Sequence, residues 1–362
     1  MTKSYYPQFS GNNFYSQINK LPKTLLFFIL LNCLYGFVIL YSAGQNQLSP
    51  WALRQIINFA FFFPVMILIA ITNIRTLFQY SYPFFLVVFT LLVLVHFFGH
   101  TAMGATRWLG IGSFRIQPSE LAKLGIVFFL ARYFHNLRGS TISKLRYLIV
   151  PALVSIGIAA LIIKQPDLGT GIVVIMVSGI LFYIAGARIW IFLLVILAIL
   201  ASMPFAWYKL HDYQKKRVEV FLDPSKDPLG SGYNIIQSKI AIGSGGLTGK
   251  GLGQGSQSHL SFLPEHQTDF IFACLCEDLG FIGAFILLMI YISITHLSLS
   301  IAINARTIFG KLLASGASSI FFIHAFINIG MVSGMLPVVG IPLPLISYGG
   351  TMMGSMLIGF GM

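Results

Sequence analysis

The chain has 362 residues, of which 56% are hydrophobic and only 9% are charged. Soluble globular domains usually carry about a quarter charged residues, so this composition excludes an ordinary soluble protein. The formal net charge is +13, but the Lys and Arg residues are scattered between apolar runs and form no basic stripe with interleaved aromatic residues. We therefore expect no nucleic-acid partner, and we expect membrane lipid and anionic headgroup substrates instead.

The apolar residues come in runs of about 20, the length that a helix needs to cross the hydrocarbon core, and not in the alternating strands of a barrel. We therefore predict an all-α, polytopic helical membrane protein with about ten transmembrane helices, in a single integral membrane domain over residues 1–362. The predicted spans are about Thr24 to Ala43, Trp51 to Ile71, Leu77 to Phe98, Pro118 to Phe134, Tyr147 to Ile163, a span between the polar hairpin Lys164 to Thr170 and Arg188, then Ile189 to Trp207, Asp269 to His296, Leu312 to Leu336 and Pro342 to Met362.

Two polar segments interrupt the series of spans. Residues 99–117 are too polar to cross and are placed like an interfacial segment, and residues 208–268 form the only long loop. Lys and Arg are concentrated in the short loops on one side, which the positive-inside rule makes cytoplasmic. The N-terminal tail, residues 1–23, is then cytoplasmic and the 208–268 loop is extracytoplasmic. All ten acidic residues fall in outer segments or in the spans adjoining them, so polar chemistry is concentrated in the outer half.

Asp269 is the acidic residue that this topology singles out. It lies at the predicted membrane edge, where water and a lipid headgroup can both reach it. A carboxylate at that depth is costly unless it has a partner or a function. Glu277 follows eight residues later, some 12 Å along a helix, which is too far for both carboxylates to act on one proton. We expect Glu277 to be a buried packing acid that is neutral or paired.

Other charged residues of the outer half have a structural and a functional interpretation each. Lys123 follows Glu120 by three residues, so the two share a helix face and can form an ion pair. Together with Arg107, the same lysine could instead hold a diphosphate, which Arg binds through its fork and Lys as a point charge. Asp167 precedes a predicted helix, where it could be an N-cap or part of a site.

The glycine-rich loop between Ile242 and Gly255 looks at first like a phosphate cradle. It does not match the P-loop pattern, because Lys250 is followed by Gly251 and not by Ser or Thr. A flexible or closely packed turn region is the better interpretation of these glycines.

Several ordered motifs carry a family resemblance. The chain contains Gly-Ala-x-Arg-Trp-Leu (104–109), Gln-Pro-Ser-Glu-Leu-Ala-Lys (117–123), Gln-Pro-Asp-Leu-Gly-Thr (165–170), Gly-Ser-Gly-Gly-Leu-x-Gly-Lys-Gly (243–251), Phe-Leu-Pro-Glu-x-x-Thr-Asp-Phe-Ile-Phe (262–272) and Pro-x-Pro-Leu-Ile-Ser-Tyr-Gly-Gly (342–350). Over nearly its whole length it resembles the shape, elongation, division and sporulation (SEDS) family. The segment 331–344 is more similar to RodA, the elongation member, than to FtsW, its division counterpart.

The resemblance implies a peptidoglycan glycosyltransferase that polymerises lipid II on the outer face of the bacterial cytoplasmic membrane, during cell elongation and rod-shape maintenance. It implies a class B penicillin-binding protein and the elongation machinery as partners. The essential aspartate of the family maps onto Asp269, which we expect to be the general base for the acceptor hydroxyl. We expect Arg107, Lys123 and Lys164 to bind the diphosphate, with Glu120, Asp167 and Glu265 in supporting roles.

No motif specifies a metal ion. A divalent cation, Mg²⁺ or Mn²⁺, could bridge carboxylate and diphosphate. Two functions of other classes compete with the enzyme: a lipid II transporter or flippase, and a non-catalytic scaffold for the penicillin-binding protein. Transport would favour discontinuous spans with charges at the midplane, whereas carboxylates confined to the outer half favour chemistry there.

Overall fold

The structure is a computed structural model that describes residues 14–102, 105–111, 114–137, 144–209, 212–227, 230–259 and 265–362. Most of the predicted tail 1–23 and a few loop residues therefore lie outside the described residues. The elements in chain order are α1 Phe14–Asn19, α2 Lys23–Ala43, α3 Trp51–Ile71, α4 Ile74–Phe98, β1 His100–Ala102, β2 Ala105–Ile111, β3 Phe114–Ile116, α5 Pro118–His135, α6 Arg146–Lys164, α7 Leu168–Ala185, α8 Ile189–Lys209, α9 Asp212–Leu222, α10 Ser231–Ser244, α11 Ser256–His259, α12 Ile271–Ile303, α13 Ile308–Val332 and α14 Gly350–Gly361.

The first nine predicted spans each overlap a helix of the bundle, and the tenth does so only in its second half. Seven helices of the described part, α2, α3, α4, α6, α7, α12 and α13, are long and apolar enough to cross a membrane. Three further helices at predicted spans, α5, α8 and α14, do not meet these criteria of length and hydropathy. Helix α5 carries charged residues along its length, α8 has its apolar stretch at Ile189–Ser202, and α14 has only 12 residues.

Helices α5 and α13 form the centre of the bundle. Helix α5 packs against α4, α7, α13 and α14, and α13 also packs against α7, α12 and α14. Small side chains on α13 allow this close approach. A Cβ on Gly316 would lie 2.8 Å from Val127 Cγ2 of α5, a distance that real Cβ atoms do not show. The two helices therefore place their polar side chains against each other in the protein interior.

The polar segment 99–117 forms a small antiparallel sheet, which the sequence analysis did not anticipate. Strand β2 pairs with β1 on one side and with β3 on the other, with Trp108 opposite His100 and Leu109 opposite Ile116. Pairing satisfies backbone groups at the point where α4 ends and α5 has not begun. The sheet brings Arg107 to the end of the bundle at which α5 starts.

The last predicted span is wrong in its first half. Residues 333–349 form no helix, and α14 begins only at Gly350. Pro342 and Pro344 account for the difference, because a proline lacks the N–H donor and disfavours a helical conformation in the residue before it. The resulting irregular segment, 333–349, returns into the bundle between the ends of α13 and α14.

The long loop 208–268 contains α9, α10 and α11, and it is docked on the bundle. Helix α10 packs against α12 and α13, and Ser238 Oγ donates to the carbonyl of Val332 at 2.9 Å. Near the middle of this loop, hydrogen bonds from Ser225 lower the pKa of the exposed Asp223 carboxyl.

The glycine-rich loop is a closely packed turn region, as expected. Helix α12 is kinked at Gly280, and there the backbone N–H groups of Lys250 and Gly251 donate to the carbonyls of Glu277 and Asp278 at 3.0 Å each. The Lys250 ammonium lies 2.7 Å from Glu277 Oε1. The prediction that Glu277 is a paired packing acid is confirmed.

Candidate active site

Asp269 ends a tight turn that precedes α12. The turn is closed by the carbonyl of Glu265, which accepts from the backbone N–H groups of Thr268 at 3.1 Å and Phe270 at 3.3 Å. The Glu265 carboxylate accepts from Thr268 Oγ1 at 2.9 Å. Glu265 thus shapes the turn with its own side chain and backbone, and Asp269 remains partly exposed.

A second segment of the chain holds this turn from the side of α13. The side-chain amide of Asn328 donates to the carbonyl of Asp269 at 2.8 Å and to the carbonyl of Ile341 at 2.7 Å. Asp269 Oδ2 lies 3.2 Å from the position that a Cβ on Gly340 would occupy. The absence of a side chain at Gly340 therefore leaves room for the Asp269 carboxylate.

The motif at 342–350 forms a platform beneath the Asp269 turn. Ser347 Oγ donates to the carbonyl of Thr268 at 2.6 Å and accepts from Leu343 N at 2.7 Å. Tyr348 N donates to the carbonyl of Gln267 at 2.9 Å. Gln55 of α3 fixes the platform in turn, because its side chain donates to the carbonyl of Ser347 at 2.9 Å. These backbone contacts leave the turn little freedom to move.

Lys123 and Glu120 form a buried polar cluster with α13 and α14. Lys123 is 1% exposed, and its ammonium lies 2.8 Å from Glu120 Oε1 and 2.7 Å from His324 Nε2. The other carboxylate oxygen of Glu120 accepts from Ser355 Oγ at 3.0 Å. The predicted ion pair is confirmed. An ammonium donates only, so His324 Nε2 accepts and the ring proton is on Nδ1.

Asp167 is the N-cap of α7, and it also joins that helix to α5. One carboxylate oxygen accepts from Thr170 N at 3.3 Å, as the capping interpretation predicted. The other accepts from Ser119 Oγ at 3.0 Å and from Gln117 Nε2 at 3.2 Å. The carboxylate thus fixes the first turns of α5 and α7 to each other.

The other two predicted cations differ in their surroundings. The Arg107 guanidinium donates to the carbonyls of Gln165 and Pro166, so it holds the turn between α6 and α7. Lys164 is exposed at the end of α6, and in the described part of the chain it forms no ion pair. The structure therefore brings Arg107 to the turn that contains Asp167, whereas the Lys164 side chain is exposed on the surface.

The irregular segment 333–349 connects these groups. A Cβ on Gly169, in the first turn of α7, would lie 2.8 Å from the carbonyl oxygen of Val339 and from Ile341 Cγ1. The next residue in that segment, Gly340, faces the Asp269 carboxylate. Gly169, two residues after Asp167, and the Asp269 carboxylate thus both contact one short stretch of chain.

Sequence analysis missed the polar side chains of α13. His324 contacts Lys123 and lies beside the Pro342 backbone, while Asn328, one turn later, contacts the Asp269 backbone. Polar residues inside an apolar span are functional candidates by default, and a spacing of four places them on one face. That signal could have found both residues.

A divalent cation at this site would need oxygen or nitrogen ligands from the surrounding side chains. No group of three or more His, Cys, Asp or Glu side chains with metal-binding geometry occurs among the described residues. Asp269 supplies one carboxylate, and Mg²⁺ is usually held by one or two carboxylates together with substrate phosphates and water. The described side chains therefore form no metal site by themselves, and a divalent cation here would also need oxygen ligands from the substrate.

The fold and this site define a polytopic helical membrane protein with a carboxylate held at one end of its bundle. The chain matches the model of the FtsW/RodA/SpoVE family, described as "Cell cycle protein", over residues 23–362. It is similar to peptidoglycan glycosyltransferase MrdB of Escherichia coli (strain K12), with 41% identity over 350 residues that cover 94% of this chain and 92% of that protein.

Solved structures agree with the sequence match. A chain of a peptidoglycan synthase complex, solved to describe the coordination of polymerization and crosslinking, is 29% identical with a TM-score of 0.81, covering 93% of this chain and 94% of that one. The rod shape determining protein RodA of Thermus thermophilus is 27% identical with a TM-score of 0.70, covering 95% and 96%. The chain belongs to the FtsW/RodA/SpoVE family, and the predicted resemblance to its RodA type is confirmed.

Proposed function

We propose that this chain polymerises lipid II into glycan strands, with Asp269 as the general base. Its activity is peptidoglycan glycosyltransfer, the activity for which the Escherichia coli relative is named. The observation that carries the assignment of the base is the Asp269 carboxylate itself. It is partly exposed, it faces Gly340, and its backbone is fixed by Asn328.

A sugar hydroxyl is a weak nucleophile, so the reaction needs a positioned base. Asp269 takes the proton of the acceptor 4-hydroxyl. At the same time the oxygen of that hydroxyl forms a bond to the anomeric carbon of the other lipid II molecule. The bond from that carbon to the diphosphate oxygen breaks, and the electron pair leaves with undecaprenyl diphosphate. Attack from the opposite face inverts the anomeric centre. A base of this kind typically contributes a factor of about 10² to 10⁴ to the rate.

The leaving diphosphate develops negative charge, which cations must stabilise. Arg107, Lys123 and Lys164 are our candidates. Arg107 is partly exposed beside the Asp167 turn, where its guanidinium already holds two carbonyls. Lys123 is buried against Glu120 and His324, which use two of the three donors of its ammonium. Its first role is to position α13, and Glu120 and Asp167 support the two helix starts.

Location and partner follow from the same proposal. The N terminus is cytoplasmic, the enzyme lies in the bacterial cytoplasmic membrane, and the end of the bundle with Asp269 and the 208–268 loop faces outward. A class B penicillin-binding protein is the partner in cell elongation and rod-shape maintenance. Support comes from the synthase complex to which the chain is similar, and from the distribution of Lys and Arg in the short loops.

The test is reconstitution of the purified chain, with its penicillin-binding partner, in liposomes that contain fluorescent lipid II. Glycan ladders on gels are the expected product. If lipid II crosses the bilayer and no glycan ladder forms, the protein is a transporter and not a polymerase. A chain that does neither, yet stimulates crosslinking by the partner, would be a scaffold. The same samples therefore separate the three functions.

A further inference from the structure

Lys239 is a cation that no motif singled out. Its side chain contacts Gly334 in segment 333–349, the segment that also faces Asp269. Lys239 belongs to α10, in the long loop, and its side chain is exposed. The preceding residue, Ser238, is buried and donates to the carbonyl of Val332 at the end of α13. This hydrogen bond fixes α10 against the beginning of segment 333–349.

The contact between Lys239 and Gly334 is close. A Cβ on Gly334 would overlap Lys239 Cε and would lie 2.6 Å from Lys239 Nζ. Gly334 also has φ +74, a left-handed conformation that residues with a side chain rarely adopt. The positive φ therefore favours glycine at 334, and the Lys239 ammonium lies close to this turn.

The same segment carries the candidate base. Gly334 lies beneath the Lys239 ammonium, and Gly340, six residues later, faces the Asp269 carboxylate. Two glycines of one short irregular stretch thus leave room for one cation and one anion. Asn328 donates to the carbonyl of Ile341 in this segment, and Ser238 donates to the carbonyl of Val332, the residue before it. These hydrogen bonds fix the backbone next to both charged groups.

Three other cations in this part of the molecule already have partners, whereas Lys164 is exposed at the end of α6 and forms no ion pair with the described residues. Lys123 binds Glu120 and His324, Lys250 binds Glu277, and the Arg107 guanidinium binds two carbonyls. Lys239 forms no hydrogen bond or ion pair with any of the described residues. All three donors of its ammonium are available to a ligand.

We propose that Lys239 binds the diphosphate of a lipid-linked sugar substrate at the Asp269 site. This inference rests on the proposed function, because it takes the diphosphate lipid as the ligand. A lysine provides a point charge and several donors, which suits a diphosphate whose orientation changes as the sugar is transferred. Among the described residues the ammonium over Gly334 has no partner, so its positive charge is not shared with another side chain of the protein.

The test separates the charge of Lys239 from its packing over Gly334. Lys239→Met keeps an unbranched apolar stem and removes the charge, and Lys239→Arg keeps the charge. The matched control is Lys311→Met, an exposed lysine in the first turn of α13 at the other end of that helix. The purified proteins are titrated with geranylgeranyl diphosphate and, in parallel, with the uncharged geranylgeraniol.

We expect Lys239→Met to weaken binding of the diphosphate about tenfold, the size of one charge-assisted hydrogen bond, and to leave binding of the alcohol unchanged. Lys239→Arg and Lys311→Met should bind the diphosphate like the wild type. Equal diphosphate affinity of the wild type and Lys239→Met, or an equal loss for the alcohol, would overturn the proposal.

A polymerisation assay on the same proteins tells the two proposals apart. Wild type that forms glycan strands while Lys239→Met forms them with unchanged KM leaves the proposed function in place and refutes the role of Lys239. Wild type that binds the diphosphate through Lys239 but never forms glycan strands refutes the polymerase and not the diphosphate site.

Discussion

The side-chain amide of Asn328 donates a hydrogen bond to the backbone carbonyl of Asp269 at 2.8 Å. The same amide donates to the carbonyl of Ile341 at 2.7 Å, so one side chain of α13 joins the turn before α12 to the segment that follows α13. The Asp269 carboxylate is placed by this bridge, because neither the turn nor the segment has helical structure of its own to fix it.

Replacement of Asn328 should therefore reduce activity without touching the reacting atoms. Asn328→Ala removes both donated bonds, and a displacement of about 1 Å at a catalytic group can cost about 10² in rate. We expect kcat to fall at least about tenfold and KM for lipid II to change little. Asn304→Ala is the control, because Asn304 bonds only its own helix at the exposed end of α12. Wild-type kcat in Asn328→Ala would show that the bridge is dispensable.

The buried pair of Lys123 and Glu120 predicts unequal effects of single and double substitutions. Glu120→Leu leaves a buried ammonium without its carboxylate, which typically costs about 3–5 kcal/mol, whereas replacing both partners by apolar residues is often neutral. Thermal unfolding in detergent should show a large loss of stability for Glu120→Leu and a smaller one for Glu120→Leu with Lys123→Leu. A double variant as unstable as the single one would contradict this account of the pair.

The kink of α12 at Gly280 predicts a sharp contrast between two glycines. Gly280 has φ +66 and ψ −161, and a Cβ there would lie 2.6 Å from the carbonyl oxygen of Leu247. Gly280→Ala should destabilise the protein by about 1–3 kcal/mol or more and loosen the glycine-rich loop. Gly179→Ala, in α7 with open space around it, should be neutral or slightly stabilising. Limited proteolysis of the loop and thermal unfolding measure both effects, and similar behaviour of the two variants would refute the argument.

Asp167 offers a test of capping against charge. Asp167→Asn keeps a side-chain oxygen that can accept from Thr170 N, and Asp167→Ala removes it at a cost of about 0.5–2 kcal/mol. We expect Asp167→Ala to be less stable than Asp167→Asn in thermal unfolding. If Asp167→Asn is as stable as the wild type and yet inactive, the charge itself serves the reaction. If Asp167→Ala is as stable as the wild type, the N-cap of Asp167 does not stabilise the protein.

The fold followed from the sequence where a single physical signal was strong. Apolar runs of span length gave helices such as Trp51–Ile71 with the predicted bounds. The small sheet at β2 and the non-helical segment before Gly350 depend instead on pairing and packing with distant residues. No local pattern of hydrophobicity reports such contacts.

The sequence predicted several residues of the candidate site. It did not predict the contacts between residues that are far apart in sequence. The pair of Glu120 and Lys123 could be inferred from spacing alone. The contact of Lys123 with His324 joins residues 201 positions apart, and that of Ser355 with Glu120 joins residues 235 apart. Contacts of that kind are set by how α5, α13 and α14 pack, so a sequence without its fold shows only that the residues are polar.

The central claim is that Asp269 removes the proton of the acceptor hydroxyl. The most direct measurement compares wild type, Asp269→Asn and Glu219→Gln for polymerisation of labelled lipid II by the complex with the proposed penicillin-binding partner. Asn has nearly the same size but cannot accept the proton, and Glu219 is an exposed acid of α9. The account predicts that Asp269→Asn folds, assembles and loses activity by about 10² or more, while Glu219→Gln retains it. Glycan ladders of equal yield from wild type and Asp269→Asn would contradict it.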